Sequence, residues 1–100
     1  MIEGVMAMAF QELIRIRTLK KPDSVLKNEI LTLIRNAKQE SGDLIGYRIL
    51  KNVKITTDWA VVLRWRPETY QNRISHLAEK LKGILDQIGQ VDQSVWKEIK

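Results

Sequence analysis

The stretch WAVVLRW, Trp59 to Trp65, followed by Arg66, constrains the fold most because its two faces ask for different surroundings. At a period of two, Trp59, Val61, Leu63 and Trp65 point one way, while Ala60, Val62, Arg64 and Arg66 point the other. The first face needs a core. The second is part polar, so the run reads as a strand at 59–66 covered on one side only, and Pro67 ends it.

The residues 8–18 alternate in the same way, with Phe10, Ile14 and Ile16 on one side and Gln11, Leu13, Arg15 and Arg17 on the other. This predicts a first strand. Lys20, Lys21 and Pro22 break it, and Asp23 and Ser24 offer side-chain oxygens to the free amides of a helix start. Leu26, Ile30, Leu33, Ile34 and Ala37 then recur at helical spacing, which predicts a helix over 22–39 with one apolar stripe. Ser41, Gly42 and Asp43 signal a turn, and Leu44–Lys51 is rich in strand formers. The residues 52–58 hold a few extended candidates (Val53, Lys54, Ile55) before a Thr-Thr-Asp turn, so the second and third strands form a hairpin.

Beyond Pro67, the positions Ile74, Leu77, Ala78, Leu81, Ile84, Leu85 and Ile88 mark a second helix of about four turns. Gly89 suits the left-handed residue that ends a helix, and Val91, Val95 and Ile99 alternate with polar residues in a fourth strand. The order is strand, helix, strand, strand, helix, strand. That is the ferredoxin-like βαββαβ unit of the α+β class, a four-stranded antiparallel sheet with two helices on one face. The other sheet face, bearing Leu13, Leu50 and Val62, is left bare, and two such faces packed in a symmetric homodimer hide each other.

A chain of 100 residues with 44% apolar content fits one small domain, here 8–100, with 1–7 as a flexible N-terminal tail. No cysteine is present, which excludes disulfides and thiolate chemistry and fits the cytoplasm. The N-terminus has neither a basic leader nor a long apolar run, so no membrane association is expected. The formal charge of +5 is spread evenly, with eight basic against six acidic residues in the first fifty and nine against six in the second. A dispersed excess argues for solvated surface rather than a nucleic-acid face, and neither LIRIRT nor WAVVLRW has the Gly and aromatic spacing of an RNA-reading sheet. No nucleic-acid partner is expected.

The candidate ligand-binding residues are arginines and aromatics. With the first and third strands adjacent, Arg15 and Arg17 should share the bare face with Arg64 and Arg66, where guanidinium groups grip a carboxylate or phenolate bidentately or pair with Asp and Glu. Tyr47, Trp59 and Trp65 are large flat side chains of the kind that line an aromatic-ligand pocket, though packing in the core is the commoner use of such residues. Trp96, out of phase with Val95, is free to pack on a partner subunit. His76 lies opposite the second helix's apolar stripe and faces water; as a base it could exchange a proton near neutral pH. A lone histidine without cysteines offers no metal site, and no phosphate-cradling loop or nucleophile elbow is present. The catalytic residues are therefore not legible.

The strand FQELIRIR, the turn and strand SGDLIGYRIL, the strand ending in LRW before a helix, and the closing strand GQVDQSVW together resemble the dimeric α+β barrels typified by antibiotic-biosynthesis-monooxygenase-like (ABM-like) proteins. The resemblance spans nearly the whole chain. It implies a homodimer through the bare sheet face and a pocket either between helices and sheet or inside the barrel. It also implies a small aromatic or anionic ligand and, as one activity, a cofactor-independent monooxygenase or isomerase. The haem-degrading branch uses an Asn on the first strand and a Trp and His on the second helix; here that strand has Gln11 and that helix no Trp, so haem degradation is rejected and no cofactor is expected. The alternative is a structural or regulatory homodimer without catalysis.

Overall fold

A computed structural model of the chain describes residues 9–18, 23–69 and 74–99. The tail expected at 1–7 and the strand break at Lys20 to Pro22 lie outside the described residues. The elements run β1 (Phe10–Thr18), α1 (Ser24–Glu40), β2 (Leu44–Lys51), β3 (Asp58–Trp65), a short 3-10 turn (Pro67–Thr69), α2 (His76–Leu85) and β4 (Gly89–Lys97). The strands form one antiparallel sheet in the order β2-β3-β1-β4. This is the expected ferredoxin-like α+β architecture.

The period of two in β1 and β3 becomes two sheet faces. Ile14 sits opposite Val61 and Ile16 opposite Trp59, and all four are buried with Leu63 and Leu44 against the helices. From α1, Ile30 and Ile34 enter this core; from α2, Leu77, Ala78, Leu81 and Leu85 do so. Positions four residues apart share a helix face, so each stripe buries against the sheet in one continuous layer. Truncating any of these side chains would leave a cavity in a close-packed interior.

Local signals fix the boundaries. Asp23 accepts from Leu26 N at 2.8 Å and starts α1, and Ser41 N donates to Ala37 O at 3.1 Å where it ends. Asn52 Oδ1 accepts from Lys54 N and Ile55 N at 2.8 and 3.0 Å, so the extended candidates at 53–55 turn instead of extending β2. An Asn side chain that mimics a backbone acceptor closes such a turn.

Two expectations are corrected. The apolar spacing from Ile74 to Ile88 predicts a longer helix than the ten residues of α2, which starts only after Ser75, whose hydroxyl accepts from Ala78 N at 3.1 Å. A side-chain cap overrides the periodicity at the start. Gly89 does not end the helix in a left-handed conformation; it opens β4 opposite Thr18. Its missing side chain is required by proximity, since a Cβ there would sit 2.3 Å from Arg17 O of the neighbouring strand.

Candidate functional site

The helix-covered face of β1 carries one residue that does not belong with its neighbours. Glu12 is in phase with Phe10, Ile14 and Ile16, and only 2% of it is exposed. Burying a carboxylate is costly unless donors surround it. Here Trp65 Nε1 donates to Glu12 Oε1 at 2.7 Å, Ser75 Oγ donates to the same oxygen at 2.6 Å, and Ser75 N donates to Oε2 at 2.7 Å. One side chain thereby ties β1 to the end of β3 and to the N-terminus of α2. The positive end of the α2 dipole also favours a carboxylate at that place.

Together with α1, these three elements wall a cavity of about 470 Å³ between the helices and the end of the sheet. Phe10, Trp65, Leu33, Ala37, Ile74 and Leu77 give it apolar walls, Ser75 and His76 its polar edge at the start of α2. Glu40, Asp43, Glu79 and Lys80 contribute the charged part of its lining. The volume suits a small ring-bearing molecule, and apolar walls with few polar groups are what such sites use.

The uncovered face has a different construction. Gln11, Leu13, Arg15 and Arg17 of β1 lie on it beside Ala60, Val62 and Arg64 of β3, with Gly46, Arg48 and Leu50 of β2 and Asp92, Ser94 and Trp96 of β4. Arg15 pairs with Asp92 across the β1–β4 ladder at 2.5 Å, and Arg17 with Asp58 across the β1–β3 ladder at 3.2 Å. Arg64 holds Glu98 with two nitrogens at 2.6 and 2.9 Å, and Gln11 Nε2 donates to Glu98 at 2.9 Å. Those bonds from Arg64 and Gln11 push the Glu98 carboxyl down to about 2, and the reciprocal bond and charge of Glu98 raise Arg64. A groove of about 590 Å³ near the β2–β3 turn is lined by Arg15, Arg17, Leu50, Lys51, Asp58 and Ala60, among others.

The candidate ligand residues named from sequence are thus distributed over two regions. Arg15, Arg17 and Arg64 share one face as expected, each with a carboxylate partner. Arg66 stands apart: it follows the end of β3, its amide donates to Asp43 O and its Nε to Gly42 O at 2.8 Å, so it closes the turn after α1. Trp65 lines the helix-side cavity; Tyr47 packs against the core and lines neither concavity. Trp59 is buried with its indole nitrogen unpartnered among the described residues, whereas the Trp65 nitrogen is tethered to Glu12. His76 is exposed, as expected, but at the cavity's edge.

Glu12 and Ser75 escaped the sequence reading, although the phase of Glu12 among buried positions was a usable signal. Arg48, also on the uncovered face, has no ion-pair partner among the described residues. No group of three or more His, Asp or Glu that could hold a metal occurs among the described residues, and none of their helices is long and apolar enough to cross a membrane.

No protein-family model and no curated protein matches the chain. Solved structures do match in fold. Rv0793 from Mycobacterium tuberculosis superposes with a TM-score of 0.66 at 12% identity, covering 92% of this chain and 96% of that one. A "putative antibiotic biosynthesis monooxygenase" from Caulobacter crescentus CB15 gives 0.66 at 8% identity, covering 98% and 97%. A dimeric ferredoxin-like protein from Thermobifida fusca gives 0.58 at 12% identity, covering 93% and 92%. The chain has the ABM-like α+β fold, and likeness at these identities carries the fold alone.

Proposed function

We propose that this protein is a homodimer that binds a small aromatic molecule in the cavity between its helices and sheet, and acts on it as a cofactor-independent monooxygenase or isomerase in the cytoplasm. The observation that carries the reading is the cavity of about 470 Å³ whose walls are fixed by a buried carboxylate. A merely structural domain has no need to bury Glu12 there, because an apolar residue at the same position would fill the space at lower desolvation cost. His76, at the mouth, is the side chain suited to exchange a proton with a bound molecule.

Self-association through the uncovered face is supported by its exposed Leu50 and Trp96 beside Leu13 and Val62, and by the dimeric neighbour of the same fold. Three of its arginines, Arg15, Arg17 and Arg64, are already paired within one chain, so of the arginines on this face Arg48 alone, among the described residues, would need a partner as a second sheet approaches. The same pairing favours the second reading, a structural or regulatory homodimer, for that face: arginines held by carboxylates are not free to grip an anionic ligand.

The test is a thermal-shift screen of aromatic phenols, acids and quinones, with sedimentation velocity for the dimer and oxygen uptake for any hit. A concentration-dependent rise in melting temperature with at least one ring compound is expected. No shift across the panel would leave the structural homodimer as the better reading.

A further inference from the structure

At the corner of the helix-side cavity where Ser75 and Trp65 meet Glu12 the donors are already spent, while Asn36, Ser41, His76 and Lys80 bring donors elsewhere in the lining. A serine hydroxyl has one proton to give and two lone pairs to accept with, whereas an ionised carboxylate only accepts. The Ser75 proton goes to Glu12 Oε1 at 2.6 Å, and one Ser75 lone pair takes Ala78 N–H at 3.1 Å. The Trp65 indole N–H and the Ser75 amide N–H both go to Glu12. What Ser75 still has for a cavity occupant is a single lone pair, made more basic by the carboxylate behind it.

The charged lining points the same way. Glu40, Asp43 and Glu79 line the cavity against one lysine, Lys80, and the Glu12 carboxylate lies one hydrogen bond further in. An anion entering there meets more carboxylates than cations, and because Glu40, Asp43 and Glu79 are exposed the repulsion is modest and weakens with added salt. The exposed arginines that the sequence offers as anion grips lie on the other sheet face or, for Arg66, in the turn.

We infer that Ser75, polarised by Glu12, is the specificity-determining acceptor of this cavity, which takes neutral ring compounds presenting an O–H or N–H and turns away their carboxylate counterparts. The inference rests on the cavity being the ligand site. Glu12 acts as a positioning residue, and the ligand donor completes the hydroxyl's last open valence.

A matched set of probes tests it: 2-naphthol, 2-methoxynaphthalene and 2-naphthoate, titrated at neutral pH by calorimetry. The expected order is naphthol first, the methyl ether about tenfold weaker or more for want of the donor, and the carboxylate weakest. Ser75→Thr, which keeps the hydroxyl, should retain the preference. Ser75→Ala should abolish the difference between naphthol and the ether, and reading the ratio of the two affinities separates lost recognition from any loss of cap or cavity order that weakens both alike. Naphthoate binding as tightly as naphthol, or a preference that survives Ser75→Ala, would overturn the inference and leave the cavity reading standing. No binding by any of the three would overturn both.

Discussion

Gln11 and Glu12 are adjacent in sequence and serve opposite faces of one sheet by different physics. Glu12 is buried and held by three neutral donors, and it organises a cavity. Gln11 faces outward and helps Arg64 hold Glu98, one of three carboxylate–arginine pairs among the described residues on a surface open to solvent. Buried polar groups are expensive to disturb because nothing replaces the lost partner; exposed pairs are cheap to disturb because water does. The molecule thus keeps one fully partnered carboxylate under the helices, and on the uncovered face it leaves ion pairs that water can replace.

Variants at matched positions would sharpen or break that contrast. The largest effect is expected at Ile14, fully buried on the covered face, where Ile14→Ala should lower unfolding free energy by about 2–5 kcal/mol in urea melts. Its outward neighbour tests the other half: Leu13→Ser should change stability little per subunit yet weaken the proposed self-association in sedimentation. Equal stability losses at both sites would remove the distinction between the faces.

Glu12→Gln comes next. An amide has one acceptor oxygen for the donors that two carboxylate oxygens now satisfy, so at least one of Trp65 Nε1, Ser75 N and Ser75 Oγ loses its partner. The expected cost is about 1–3 kcal/mol, with altered tryptophan emission and weaker ring-compound binding. Gly89→Ala should cost a similar amount, on the order of 1–3 kcal/mol, because the new methyl group forces β4 away from the Arg17 carbonyl. Hydrogen exchange should show the loosening at the β1–β4 ladder.

The smallest effects belong to the uncovered face. The Glu98 carboxyl is held down to about 2 against an ordinary value of 4.5, so its bond to Arg64 stabilises the folded state above that ordinary value. The contribution fades as pH falls from about 4.5 toward 2. The urea midpoint of Glu98→Gln should therefore lie below the parent's at pH 6 and converge with it near pH 2; a gap independent of pH would contradict the pairing. Arg15→Ala, at an exposed pair, should change stability by about 1 kcal/mol or less.

Most of the fold could be read from local pattern, because alternation in β1 and β3 and the stripes of both helices are short-range signals with one solution each. The shared face of Arg15, Arg17 and Arg64 followed from the strand order. What escaped depends on residues far apart in sequence. Arg64 and Glu98 meet only through the sheet, and Ser75 starts α2 while binding a glutamate 63 residues earlier. Arg66 continues the alternation of β3 in sequence, but the chain leaves the sheet after Trp65 and the arginine serves a turn. For the candidate site, aromatic content was visible; the phase of Glu12 among buried strand positions was visible too, but its donors, Trp65 and Ser75, come from distant segments and were not.

The most direct test of the account is an amide and indole chemical-shift titration of the intact protein with 2-naphthol. Shifts concentrated at the Trp65 indole N–H and the Ser75 and Leu77 amides, with Arg15, Arg17 and Ala60 unmoved, are the predicted result. Shifts concentrated at those last three residues, along the groove of the uncovered face, would contradict it.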